Sequence, residues 1–132
     1  MDQAAWQRLI EAALAARQRA YAPYSGFSVG AAILADDGSL YAGCNVENAS
    51  LGLTLCAERV AVGAAIAAGR RSWLALAVAA SGGAPPCGAC RQVLVEFAPD
   101  LELLLVDAER PSQAVSVRLG SLLPAAFQFR RP

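Results

Sequence analysis

Residues 2–19 place Trp6, Leu9, Ile10, Ala13 and Leu14 at helical spacing with polar residues between them, so the chain is expected to open with a surface helix capped by Asp2. Tyr21-Ala22-Pro23-Tyr24-Ser25-Gly26 ends it as a loop. A strand is then expected over Phe27 to Ala35, turning through Asp36-Asp37-Gly38-Ser39 into a second strand from Leu40 to Val46. Glu47 to Leu53 forms a loop, and Thr54 is placed to cap a helix running to about Gly69, with Cys56 in its first turn. That helix is mostly alanine with Val60, Val62 and Ile66, a pattern for a central buried helix that neighbours approach closely. Trp73 to Ala80 is an unbroken apolar run of strand length, as in a sheet covered on both faces. Pro86 suits the first position of a third helix reaching Phe97. Leu101 to Val106 predicts another buried strand, Ala114 to Arg118 a short alternating one and Ser121 to Ala126 a terminal helix, with Phe127 to Pro132 as a tail. An α/β fold follows, with helices on both faces of a sheet that begins with a hairpin.

Composition narrows this picture. The 132 residues suit one domain, 1–132, and 56% of them are hydrophobic against 17% charged, an apolar surplus that a subunit interface would absorb. Net charge is zero, and basic residues are dispersed except at Arg70-Arg71 and Arg130-Arg131, so no groove for a phosphate backbone is expected and nucleic acid is set aside as a partner. The apolar run Val60 to Ala68 lies between Arg59 and Arg70 and is too short for a bilayer, which sets aside a membrane. Residues 1–19 intersperse charge among apolar positions instead of forming a secretory h-region, and a cytoplasmic location is expected. In that setting four cysteines point to metal or catalysis before disulfides.

Three of those cysteines keep company with a carboxylate. Cys56-Ala57-Glu58-Arg59 is answered downstream by Cys87-Gly88-Ala89-Cys90. Cys56, Cys87 and Cys90 supply three soft ligands, the number a catalytic zinc takes from protein while keeping one position for water. Glu58 then reads as the proton carrier beside that position. Cysteines near helix N-termini favour the thiolate, because the free N–H groups and the helix dipole stabilise negative charge. Three thiolates on a dication leave one negative charge, and Arg59, on the same helical face as Cys56, is placed to draw it off through a sulfur. Two other readings use the same residues. Cys44 would close a structural four-cysteine zinc site, and Cys87-x-x-Cys90 alone would make a redox dithiol; the first leaves Glu58 idle and the second leaves Cys56 unexplained. Taken singly, Cys44 suits a small buried residue at a strand end.

The chain resembles the small, homotetrameric cytidine deaminases along nearly its full length. The resemblance rests on Tyr24-Ser25-Gly26-Phe27 leading to Val29-Gly30-Ala31-Ala32, on Gly43-Cys44-Asn45-Val46-Glu47-Asn48-Ala49, on Cys56-Ala57-Glu58-Arg59, on Pro86-Cys87-Gly88-Ala89-Cys90-Arg91-Gln92, and on Leu122-Leu123-Pro124 before Phe127. It implies a three-layer α/β/α fold with a mixed five-stranded sheet, one zinc per subunit and no organic cofactor. It further implies hydrolytic deamination of cytidine and 2'-deoxycytidine to the uracil nucleosides with loss of ammonia, as in pyrimidine salvage. By the same resemblance Phe27 stacks on the pyrimidine, Asn45 and Glu47 hold the ribose 3'-hydroxyl, and the Ala57 N–H meets the base carbonyl. Taken singly, Phe27 would be core and Asn45 and Glu47 turn residues.

Three positions depart from the family pattern. Leu51 stands where a tyrosine often reaches a neighbouring subunit's substrate, Phe127-Gln128-Phe129 replaces Phe-Gly-Pro, and Pro85 stands where serine is common. Leu51 and Phe127 are thus the candidate cross-subunit residues, and their surroundings leave open a modified cytosine nucleoside or nucleoside-like antibiotic as substrate. A non-catalytic structural zinc protein is the alternative from another class.

Overall fold

The computed structural model describes residues 2–129, and among them five strands and four α-helices follow the order the hydrophobic pattern implies. The Arg130-Arg131 pair and the end of the tail lie outside the described residues. Helix α1 spans Gln3–Arg17, and the Asp2 carboxylate caps it by accepting the Ala5 N–H at 2.7 Å. Strands β1 (Gly30–Ala35) and β2 (Leu40–Cys44) form the expected hairpin, whose turn uses Gly38 at φ +88°. Helix α2 (Ala57–Ala67), strand β3 (Trp73–Ala80), helix α3 (Gly88–Phe97) and strand β4 (Glu102–Asp107) come next. Strand β5 (Val115–Arg118) and a single turn of helix, α4 (Leu119–Leu122), complete the order.

The sheet is mixed, in the order β2-β1-β3-β4-β5, with only β3 and β4 parallel among neighbours. Alternation along the strands divides the core. Ala32, Leu34, Ala75, Ala77 and Leu104 face α1 through Leu9 and Ala13. Ala31, Ile33, Leu76, Val78 and Leu103 face Ala61, Val62 and Ala65 of α2 and Leu94 and Val95 of α3. Three layers therefore exist because β1, β3 and β4 are apolar at both odd and even positions.

Two glycines let the helices lie almost on the sheet. A β-carbon at Gly30 would stand 2.0 Å from the Ala13 carbonyl oxygen and 2.4 Å from the Arg17 nitrogen of α1. One at Gly43 would stand 2.5 Å from the Ala61 nitrogen and 2.6 Å from the Ala57 carbonyl oxygen of α2. Both contacts are with backbone, which cannot rotate aside as a side chain would.

Several boundaries differ from the sequence expectation. The hairpin strands are shorter at their open end, beginning at Gly30 instead of Phe27 and ending at Cys44 instead of Val46. There the Asn45 side chain takes over from the ladder, accepting the Val29 N–H at 2.9 Å and donating to the Phe27 carbonyl at 2.8 Å. Helix α2 is capped by Cys56 and not by Thr54, whose N–H closes the short 3-10 turn Leu51–Leu53. Helix α3 likewise begins after Cys87, which puts Pro86 before the cap. The terminal helix is Leu119–Leu122, earlier than Ser121 to Ala126, because Leu119 is the residue that enters the core. Helix α2 is buried on one face only, through Ala57, Glu58, Ala61, Val62 and Ala65, while Gly63 and Ala67 are exposed. Its alanine-rich composition describes a close approach to the sheet, which a single chain provides on one side.

The two glycine contacts make a test. Gly30→Ala is expected to cost about 3 kcal/mol, the upper part of the usual range for overpacking. Gly38→Ala, where a β-carbon at the hairpin turn meets no neighbour, is expected to cost only about 1 kcal/mol, through its positive φ alone. Urea unfolding of both variants checks the pair, and equal midpoints would remove the close-approach argument.

Candidate active site

The register Gly30↔Cys44 and Gly30↔Ala79 puts the start of β1 and the ends of β2 and β3 at the same edge of the sheet. Three connections meet there: the segment before β1 with Phe27, the segment after β2 with Asn45, Glu47 and Cys56, and the segment after β3 with Cys87. Both helices that follow begin at this edge, so their N-termini converge. Cys56 and Cys87 occupy the N-cap positions of α2 and α3, and neither thiol caps its own helix by a side-chain hydrogen bond. Cys90 lies one turn further along α3 and is fully buried.

The three sulfurs form the candidate metal group. All three Sγ atoms lie within 4.8 Å of one another, and those of Cys87 and Cys90 are 3.4 Å apart. Tetrahedral zinc with Zn–S bonds of about 2.3 Å places sulfurs roughly 3.8 Å apart, so the spacing fits with small adjustment. The electrostatics fit as well. Burial pushes the Cys90 thiol far above its usual range, and the Glu58 carboxylate and the neighbouring thiols push it further. At Cys87 burial acts upward too, but hydrogen bonds from Cys90, Cys56 and Ala89 outweigh it and bring the thiol below its usual value. Crowded sulfurs beside a carboxylate are a donor set that a dication stabilises. Cys44 stands outside this group, at the end of β2, where it is half-buried.

Arg59 holds the group from behind. Its Nη2 donates to the Cys56 sulfur at 3.3 Å and to the Thr54 carbonyl at 3.2 Å, while its buried Nε has no partner. The guanidinium is held charged chiefly by its hydrogen bond to Cys56, against the pull of burial. A donor so placed can draw negative charge from the Cys56 sulfur.

A cavity of about 190 Å³ opens beside the sulfurs, and its wall includes Phe27, Asn45, Cys56, Ala57, Glu58 and Cys87. Glu58 is in the first turn of α2 and only 5% exposed. Burial raises its carboxyl above the ordinary carboxylate range, opposed by its own backbone N–H and by Arg59. A carboxyl so placed holds a proton to higher pH than an exposed one. Ala57, the first residue of α2, has a backbone N–H that no intrahelical carbonyl can satisfy. Phe27 is 42% exposed at the cavity, so its ring presents a face instead of filling the core.

Other residues named from the sequence fall outside this wall. Glu47 braces the turn before Phe27, accepting the Tyr24 and Ser25 N–H groups at 2.9 and 3.1 Å and the Ser25 hydroxyl. Leu51 and Phe127 are 72% and 71% exposed. The Gln92 amide reaches the Phe127 carbonyl at 3.1 Å, which ties that residue's backbone to α3 of its own chain. Arg91, to which the sequence reading gave no role, donates to the Pro86 carbonyl at 2.7 Å and the Leu122 carbonyl at 2.9 Å, fixing α4 against the residue before Cys87. Pro85, one of the departures from the family pattern, also lines the cavity, as do Thr54, Val78 and Ala84, to which the sequence reading assigned no place there. No local pattern in the sequence marks them, because one strand and two separate connections bring them together.

Three thiols on two convergent helix ends, with a buried carboxyl beside them at the wall of a cavity, are the donor set and acid–base group of a zinc-dependent hydrolase. Residues 4–103 match the family described as the cytidine and deoxycytidylate deaminase zinc-binding region. Over 124 residues the chain is 50% identical to a cytidine deaminase of Halalkalibacterium halodurans, covering 92% of each chain. It is also 50% identical over 124 residues to a cytidine deaminase of Mycobacterium tuberculosis, covering 92% of this chain and 89% of that one. Its fold matches the crystal structure of a cytidine deaminase from Burkholderia pseudomallei with a TM-score of 0.87, at 49% identity and over 96% of this chain and 100% of the other. The chain belongs to the cytidine deaminase family, hydrolases that use zinc to break an exocyclic C–N bond.

Metal analysis separates the cysteines. Cys56→Ser, Cys87→Ser and Cys90→Ser are each expected to lose stoichiometric zinc on dialysis, whereas Cys44→Ser keeps one zinc per chain. Arg59→Met is expected to weaken zinc binding by about 10–100-fold, the usual cost of losing a partner behind a ligand. Competition with a chromogenic chelator reads both, and zinc lost from the Cys44 variant would restore the closed four-cysteine site.

Proposed function

We propose that the protein hydrolyses cytidine and 2'-deoxycytidine to uridine and 2'-deoxyuridine with release of ammonia, as a single catalytic domain in pyrimidine salvage. The observation that carries this reading is Glu58: a carboxyl buried in the first turn of a helix, at the cavity wall it shares with Cys56 and Cys87. Cys56, Cys87 and Cys90 would hold the zinc. When bound, it supplies Lewis acidity that brings water deprotonation into the neutral range.

The chain's own groups then account for the remaining steps. Phe27 would stack on the ring and the Ala57 N–H would donate to the base carbonyl, fixing C4 beside Glu58. Glu58 would accept the proton of the attacking water and deliver it to ring N3 as the C4–O bond forms; it would then take the proton of the new C4 hydroxyl and pass it to the amine, so that the C4–N bond breaks, ammonia leaves and C4 becomes a carbonyl. One carboxyl suffices because all three positions lie within reach of the same side chain, and its raised affinity for protons suits both directions of transfer. Asn45 would offer the sugar its second amide proton and Glu47 its remaining carboxylate lone pair, each already held in place by backbone contacts. A free nucleoside is the proposed substrate, in keeping with a cavity wall that, among the described residues, carries no arginine to receive a phosphate.

We also place the protein in the cytoplasm as a homotetramer. Four free thiols suit a reducing compartment. The uncovered face of α2 and the exposed Tyr21, Val46 and Leu55, joined by isolated bridges, support burial by further copies of the chain. Leu51 and Phe127 would then meet neighbouring subunits. Among the described residues no helix is long and apolar enough to cross a membrane.

Product analysis with each nucleoside tests the reaction. Glu58→Gln is expected to lower turnover by about 10³-fold while zinc content is unchanged, as for removal of an acid–base group. Wild-type turnover of a modified cytosine nucleoside but not of cytidine would transfer the assignment to that substrate. Sedimentation is expected to give the four-chain mass at micromolar concentration, and a monomer alone would overturn the assembly.

A further inference from the structure

Arg17 lies in the last turn of α1, on the face of the sheet opposite α2 and α3. Its backbone is seated directly on the start of β1, where a β-carbon at Gly30 would stand 2.4 Å from its nitrogen and 2.9 Å from its Cα. From this root the half-buried guanidinium reaches round the sheet edge in two directions. Nε donates to the Ser28 carbonyl at 3.0 Å, and Nη2 donates to the Ser81 hydroxyl at 3.3 Å. The Ser81 hydroxyl in turn donates to Glu109 at 2.5 Å. The next residue, Gly82, gives its N–H to Asp107 at 3.1 Å, so the connection after β4 secures the same loop.

Both anchor points belong to cavity-forming segments. Ser28 lies between Phe27 and Val29, which line the cavity, and Ser81 opens the connection that carries Ala84, Pro85 and Cys87 into it. Neither segment is regular structure, so neither is held by a ladder or a helix at the point Arg17 grips it. Resting on the cytidine reading given above, we propose that Arg17 is a positioning residue for the base: one guanidinium fixes the Phe27 segment relative to the Ala84–Cys87 segment and so sets the gap the pyrimidine enters. It touches no reacting atom. Its effect is on binding geometry, and the cost of its loss falls on KM before kcat.

The experiment compares Arg17→Gln, Arg17→Lys and Ser81→Ala with the zinc-loaded wild type. Arg17→Gln is expected to raise KM for cytidine about tenfold, the scale of one or two hydrogen bonds from a charged donor, with kcat per bound zinc changed less than about threefold. Lysine can reach one anchor and should recover part of the loss, while Ser81→Ala should give a smaller rise. Backbone amide exchange supplies a readout that does not need turnover. In Arg17→Gln the amides of 27–30 and 81–88 should lose protection together, with α2 and the centre of the sheet unchanged; in Ser81→Ala the loss should be confined to 81–88. An unchanged KM, a fall in kcat that merely tracks lost zinc, or exchange accelerated evenly through the sheet would overturn the proposal. Should the wild type prove inert to cytidine, the substrate reading falls while the exchange pattern alone decides the clamp. If Arg17→Gln does not fold, the lysine and alanine variants carry the same comparison.

Discussion

The structure depends on two helix N-termini being brought face to face at one edge of a sheet. Strands β2 and β3 run in the same direction on either side of β1, so the segments leaving them emerge together, next to the segment entering β1. An edge where strands end and helices begin collects free N–H groups and the positive ends of helix dipoles, which suits anionic ligands. Here the anions belong to the protein. Cys56 and Cys87 cap helices without bonding to them, leaving both sulfurs free to turn toward each other and toward Cys90.

That convergence requires close packing elsewhere. Helix α2 can begin near the sheet because Gly43 leaves room for the Ala57 carbonyl, which joins the position of Glu58 to a contact made on β2. Helix α1 uses Gly30 in the same way on the other face, and the small residues Ala31, Ala32, Ala75, Ala77 and Ala79 keep both layers near the sheet. The alanine content that marks α2 as a helix its neighbours approach closely is thus a consequence of thin layers. A thin layer also explains why an arginine rooted in α1 can reach connections that border the opposite side.

Much of this was legible in the residues. The hydrophobic pattern placed the five strands and the first three α-helices in order, though the terminal helix begins earlier than expected, and the two cysteine motifs pointed to the metal group because a catalytic metal site demands a particular donor set at short spacing. Boundaries at the site were less legible. Phe27 to Val29 has the composition of a strand, yet the Asn45 amide satisfies its backbone groups and releases it from the ladder. Thr54 has the chemistry of a cap, but its N–H closes the Leu51–Leu53 turn and Leu55 bridges to Val46, so the chain stays extended until Cys56. The contributions of Arg17 and Arg91 left no trace in the sequence pattern. Arg17 acts on the Ser28 carbonyl and the Ser81 hydroxyl, and Arg91 on the Pro86 and Leu122 carbonyls, common groups that no local motif pairs with an arginine.

Asn45 shows how fold and proposed chemistry share the same atoms. Its amide oxygen and one amide hydrogen hold the Phe27–Val29 backbone, and one hydrogen and one lone pair remain for a sugar. Glu47 repeats the arrangement, with three protein donors on its carboxylate, the hydroxyl of Ser25 foremost in holding it ionised. A residue already fixed by the backbone loses little freedom when a ligand adds one more bond, which strengthens binding without adding contacts. The same economy makes such residues unsuitable for simple deletion. Removing Asn45 would release Phe27 as well as a sugar contact, so a loss of affinity there would report two effects at once. Arg17 differs in this respect: it holds the same wall from outside the cavity, where no substrate contact is lost when it is changed.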